Sequence, residues 1–163
     1  MSLPGDFTLV VKDHPAMLGY RSTSYLEKVA RTPNVKLVDY RIPTEKILRK
    51  TRLVVSPNSS TVVEAAFLKK PAIQLGGLGT TLLLPNVFGH TDLSTLSDKI
   101  KEVLMVNLNN PKYEENMVNY ITAVYDVGFD YDYLAIWERN ETKNIEPLMN
   151  IYLKELTRLF ESR

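Results

Sequence analysis

Cysteine is missing from this chain, and only two histidines occur in its 163 residues. The first absence excludes disulfides, thiolate nucleophiles and Cys-based zinc sites. The second leaves no His-rich metal site to expect, because the two lie far apart, at His14 and His90. An excess of either charge is also missing: 20 Lys and Arg face 19 Asp and Glu, a net charge of +1. Bulk charge therefore gives no ground for binding nucleic acid or a membrane surface. No apolar run approaches the ~20 residues that a membrane-spanning helix needs. The opening "MSLPGDF" has neither the basic nor the apolar region of a secretory signal. Together these features predict a cytoplasmic protein or domain.

What is present is an ordinary globular composition, 44% apolar and 24% charged. The length suits one domain with a core that needs no covalent staple. Short β-branched runs alternate with helical stretches. Strands are expected over Phe7 to Lys12, Val35 to Asp39, Arg52 to Ser56 and Pro71 to Leu75, with a weak fifth over Asn86 to His90. Helices are expected over Ser22 to Thr32, Thr44 to Lys50 and Ser60 to Lys70. This alternation predicts an α/β fold, a Rossmann-like three-layer parallel sheet spanning about residues 7–90. The strands are apolar almost throughout, as strands covered on both faces are. From Asp92 the pattern turns helical. Asp92 is expected to cap one helix, Pro111 to open a second with Gly128 as its stop, and a last one to carry Ile151, Leu153, Leu156, Leu159 and Phe160 as an apolar face. The whole is expected as a single domain over 1–163, its helical part over about 91–163.

In a parallel sheet the loops that follow the strands emerge at one edge, where doubly wound folds bind ligands. That expectation gathers His14, Arg41, Ser59, Ser60, Gly76, Gly77 and Gly79 along one rim, with Lys12 ahead of His14 and Arg21 after it. Each has two readings. Ser59, Ser60 and Thr61 sit where a helix begins, which suits an anion such as phosphate and equally suits plain capping. Glu64 completes a capping box with Thr61, or accepts hydrogen bonds from a ribose or base. His14, held extended by Pro15, is a turn residue or a hydrogen-bond donor to phosphate. Arg41 is a second anion contact or a solvated charge. The glycines permit close approach of a ligand or only a tight turn. Lys69 and Lys70 read as a solvated helix end, and His90 receives no role.

The pairing of "KDHP" at one strand end with "NSSTVVEAAFLKKPAI" at another resembles the C-terminal, donor-binding half of GT-B glycosyltransferases, and most of all bacterial capsule polysaccharide biosynthesis proteins. Bacterial sialyltransferases and CDP-glycerol glycerophosphotransferases share such HP and paired-serine motifs. The resemblance covers residues 7–77. It implies that His14, Ser59 and Ser60 contact the phosphate of a CMP- or CDP-activated sugar, bound as a substrate with no metal or other cofactor. Glu64 falls at a position where the glycerophosphotransferases tend to have Asp. The resemblance also implies a glycan or lipid-linked acceptor and a cytoplasmic place at the inner face of the membrane, in synthesis of the bacterial cell surface. GT-B enzymes close their active site between two Rossmann-like halves, and this chain has room for one. The expectation is a fragment, or a chain that needs a partner domain or a second copy, inactive alone and with the catalytic residues in the other half.

Two alternatives stay open. Half of a non-hydrolysing UDP-sugar epimerase of GT-B shape would share the serine-and-Glu pattern. A non-catalytic flavodoxin-like interaction module would use its rim residues as caps and turns, and would offer Tyr131, Tyr133 and Trp137 to a partner.

Overall fold

The computed structural model describes Leu3, residues 6–128 and residues 145–161. The expected aromatic partner site at Tyr131, Tyr133 and Trp137 lies outside the described residues. Strands β1 (Leu9–Lys12), β2 (Val35–Val38), β3 (Val54–Ser56) and β4 (Ala72–Gln74) are connected through helices α1 (Thr23–Arg31), α2 (Thr44–Leu48) and α3 (Thr61–Phe67). Strand β5 (Val87–Gly89) and helices α4 (Leu96–Leu104), α5 (Pro111–Val127) and α6 (Ile145–Glu161) follow. Every strand pair is parallel. The α/β class is the one the alternation predicts, and the architecture is compatible with a Rossmann-like fold.

The single expected sheet is instead two small ones, β1–β2 and β3–β4–β5. No ladder joins β1 to β3 among the described residues. Among the described strands only β4 is buried along its whole length. Val55 of β3 and Leu9 and Val10 of β1 are about two-fifths exposed. Full coverage of both faces, expected of every strand, thus belongs to β4. The first sheet has α1 against β2 and is otherwise thinly covered.

The core forms on the two faces of the second sheet. Residues alternate sides along a strand, so Ala72 and Ile73 look opposite ways. Ala72 packs with Val62 and Ala66 of α3 and with Leu84, Leu108, Tyr113 and Met117. Ile73 packs with Leu96, Ile100 and Val103 of α4. Helices therefore sandwich β4. Asn86 ties the layers from inside. It is fully buried and donates from Nδ2 to the carbonyls of Val62 (3.1 Å) and Lys70 (2.9 Å). Its Oδ1 has no hydrogen-bond partner.

Helix ends show why the sequence folds this way locally. Ser22 Oγ accepts from the Tyr25 amide at 3.3 Å and caps α1 as expected. Asn110 Oδ1 accepts from the Tyr113 amide at 2.9 Å just ahead of Pro111, the first residue of α5. Gly128 follows α5, and a Cβ there would lie 2.4 Å from the Val124 carbonyl. Asp92 does not cap α4. Its carboxylate closes a local turn, accepting from the Ser94 amide (2.9 Å) and hydroxyl (2.6 Å), and these bonds hold its pKa below the usual value. The helix starts after Thr95.

The end of α3 is clasped by α5. Lys69 takes a left-handed conformation (φ 50°) where α3 stops, and its ammonium pairs with Glu114. The expected solvated helix end is thus a contact point. Beside it, the buried Tyr113 hydroxyl donates to the Ala66 carbonyl at 2.7 Å. The chain divides into two compact units, Met1–Ile121 and Thr122–Arg163. In the second unit α6 carries the expected apolar stripe, but no residue of α6 is buried: Leu153 is 56% and Phe160 74% exposed. No helix among the described residues is long and apolar enough to cross a membrane.

Tyr113→Phe keeps the ring and deletes one buried bond, so urea unfolding at neutral pH should show a loss of about 1 kcal/mol. Burial, with a smaller effect from Glu114, pushes the Tyr113 phenol up to about 12 from 10.0. The unfolded chain releases this proton first, so the contribution is whole below pH 10 and is lost as pH rises towards 12. The wild-type advantage over Tyr113→Phe should shrink across that window.

Candidate functional site

Two loop clusters follow the C-terminal ends of the strands. The first is residues 13–22, and it is a tightly folded loop. His14 is extended (φ −75°, ψ 138°), as a residue before proline should be. Its Nδ1 accepts from the Ala16 amide at 3.1 Å and so caps a 3-10 turn over Pro15–Met17. An Nδ1 that accepts leaves the proton of the neutral ring on Nε2. A type II turn follows: Leu18 at φ −60°, ψ 128°, Gly19 at φ 80°, and the Tyr20 amide donating to the Met17 carbonyl at 3.1 Å. A positive φ at that corner suits glycine. Arg21 then returns to Asp13, Nε to Oδ2 at 3.0 Å, and lies over the Tyr25 ring. Asp13 Oδ1 accepts from the His14 amide at 3.0 Å. Lys12 is the last residue of β1 and makes no side-chain hydrogen bond with the described residues.

After β2, Arg41 is neither a bare solvated charge nor a free anion contact. Its Nε and Nη2 both bond Asp39, the shortest at 2.6 Å, and its own amide donates to Asp39 Oδ1 at 2.9 Å. These bonds hold the Asp39 carboxyl down to about 2 and push Arg41 above its ordinary value.

The second cluster lies at the edge of the other sheet. Ser59 Oγ accepts from the Thr61 amide at 3.1 Å and donates to Thr61 Oγ1 at 3.0 Å, so Ser59 is spent on local capping. Ser60 precedes the helix with its hydroxyl free of any cap bond. Thr61 is the first helical residue, which removes the register a capping box requires, and the exposed Glu64 carboxylate has no partner among the described residues. Of the serine pair, one hydroxyl is structural and one is unspent.

The glycine loop is built against this turn. The Gly76 amide donates to the Pro57 carbonyl at 2.7 Å, and a Cβ at Gly76 would meet that oxygen at 2.5 Å. Gly79 takes φ 101° beside the Asn58 side chain. Gly77 has open space around it. The whole loop is organised by Gln74, which is fully buried at the end of β4. Its Nε2 donates to the carbonyls of Gly76 (3.0 Å) and Leu78 (2.9 Å), and its Oε1 accepts from Thr81 Oγ1 at 2.7 Å. Every polar atom of that amide is satisfied. His90, after β5, bonds Thr95 Oγ1 through Nε2 at 3.2 Å.

The structure therefore brings Ser59, Ser60, Thr61, Gly76 and Gly79 together, with Glu64 one turn into α3. It leaves His14, Lys12 and Arg41 on the other sheet. No hydrogen bond among the described residues joins His14 to the serines. Gln74 and the pairing of Asp13 with Arg21 escaped the sequence reading. A polar residue closing an apolar strand directly before two glycines was the available sign for Gln74.

Gln74→Leu should destabilise the protein by about 2–3 kcal/mol, since it strands two loop carbonyls and a hydroxyl. Hydrogen exchange should speed up at residues 76–81 more than at β4. Gly76→Ala, which forces a Cβ onto the Pro57 carbonyl, should cost about 1–3 kcal/mol.

Comparison of the chain with protein-family models, with curated proteins and with solved structures finds no match.

Proposed function

We propose that this chain is the nucleotide-sugar-binding domain of a GT-B-type glycosyltransferase that builds a surface polysaccharide, with a CMP- or CDP-activated donor. One observation carries the reading. The turn bearing the paired serines is joined to the glycine loop by the Gly76 amide on the Pro57 carbonyl, and Gln74 holds that loop, at the C-terminal end of parallel strands, the edge at which α/β sheets take ligands. The edge is preformed and offers one unspent hydroxyl, Ser60, together with the Glu64 carboxylate. In this reading Ser60 donates to donor phosphate and Glu64 accepts from a sugar hydroxyl, since a carboxylate would repel phosphate. His14 stands on the other sheet, and it is the motif resemblance that brings its Nε2–H, not used by the capping bond, to the donor phosphate in this reading. In glycosyl transfer the acceptor hydroxyl attacks the anomeric carbon, the bond to the nucleotide phosphate breaks, and donors on that phosphate stabilise the charge that leaves. Acceptor activation is assigned to no residue of this chain.

CMP or CDP should bind in calorimetry, and Ser60→Ala or His14→Ala should each weaken binding about tenfold, the worth of one hydrogen bond to a charged group. His14→Asn retains an acceptor for the Ala16 amide but has no Nε2–H, so it should bind as weakly as His14→Ala while keeping the loop. The proposal fails if neither nucleotide binds, or if all three variants bind like the wild type.

A further inference from the structure

The loops after β1 and β2 enclose a feature that the proposed donor site does not use. A cleft of about 350 Å3 opens between them. Its apolar floor is formed by Met17, Leu26, Leu37 and Val38. Two acid–base pairs stand beside it, Asp13 with Arg21 and Asp39 with Arg41. The volume is at the small end of the range for ligand pockets.

The hydrogen-bond inventory decides which ligand fits. The Asp39 carboxylate is consumed, and Asp13 accepts one bond at each oxygen. Asp13 accepts from the His14 amide and from Arg21 Nε. Asp39 accepts from the Arg41 amide and from two nitrogens of its guanidinium. The arginines are not consumed. Arg21 gives only Nε to Asp13, and both of its Nη groups are without a hydrogen-bond partner among the described residues. Arg41 keeps Nη1. A guanidinium donates and never accepts. The greater unspent capacity of the cleft is therefore on the donor side, although its formal charges cancel.

The Arg21 fork is also held in place. Its Nε is tied to Asp13, its Cζ lies 5.3 Å from the centre of the Tyr25 ring, and the loop that carries it is closed by the turn at Gly19. A fork fixed at Nε presents its Nη groups in the geometry that suits a carboxylate or a phosphate. The methionine in the floor adapts to a flat apolar body.

We propose that this cleft binds a small organic anion, with an aromatic or other flat apolar body on Met17, Leu26 and Leu37 and its carboxylate or phosphate on the Arg21 fork. The inference does not depend on the donor site, with which it shares no residue. Phenyl phosphate is the probe, with inorganic phosphate and benzyl alcohol as the anion-only and ring-only arms. In amide-shift titrations of the whole chain, phenyl phosphate should perturb Leu18, Gly19 and Tyr40 before Ser60 and Gly77. It should bind at least tenfold more tightly than either control. Arg21→Gln keeps a donor for Asp13 and removes the fork, and it should weaken phenyl phosphate at least tenfold. Met17→Glu, which leaves the fork in place and sets a like charge in the floor, should do the same, and circular dichroism should show both variants folded. Inorganic phosphate binding as tightly as phenyl phosphate, shifts centred on residues 59–77, or unchanged affinity in the folded Arg21→Gln variant would overturn the proposal.

Discussion

A strand with no exposed surface must satisfy everything polar at its ends from within the protein, and β4 is such a strand. Ala72, Ile73 and Gln74 are each fully buried. At the start of β4 the Ala72 amide donates to the Asn86 carbonyl at 2.8 Å, and the Asn86 side chain takes the Lys70 carbonyl. At its other end Gln74 turns its amide into a substitute for backbone and holds the glycine loop. Both layers of core lean on this strand, α3 and α5 through Ala72 and α4 through Ile73. Each unpaired polar atom of a buried amide costs stability. The full pairing of Gln74 therefore supports the sandwich as well as the loop.

That constraint also separates two kinds of edge. The second sheet has a stiff edge, where backbone meets backbone too closely for a side chain at Gly76. The first sheet has less behind it, and its loops are organised instead by their own side chains: a capping histidine, a glycine turn and paired arginines. Exposed ion pairs add little stability. Their effect at this edge is directional, because they fix which atoms of Arg21 and Arg41 remain for a ligand.

Strand and helix positions were readable because each is a local pattern. Ser22, Pro111 and Gly128 stand where capping chemistry puts them. The strands shorten at their ends, since ladder pairing stops before the apolar run does. What the sequence did not carry was the pairing between β1 and β3. No local signal distinguishes one continuous sheet from two, and the expected rim with His14 beside the serines depended on that pairing. Side-chain assignment also outran the pattern. The serines look equivalent in "NSST", yet one is spent on Thr61 and one is not. Thr61-Val-Val-Glu64 has the spacing of a capping box, but the helix begins one residue too early for it to close. The apolar face of α6 was legible as a stripe, whereas its lack of buried residues was not, because periodicity reports which side is apolar and not what covers it.

The turn at Gly19 has a consequence for affinity. Residues 13–21 form a short ring closed by an ion pair and cross-braced by the His14 cap and the glycine corner. Such a ring loses its conformational entropy when the chain folds, not when a ligand arrives. Whatever the Arg21 fork meets then need not order the loop first. Recognition at this edge is then spared the cost of ordering the loop, and a ligand gives up only its own freedom and its hydration.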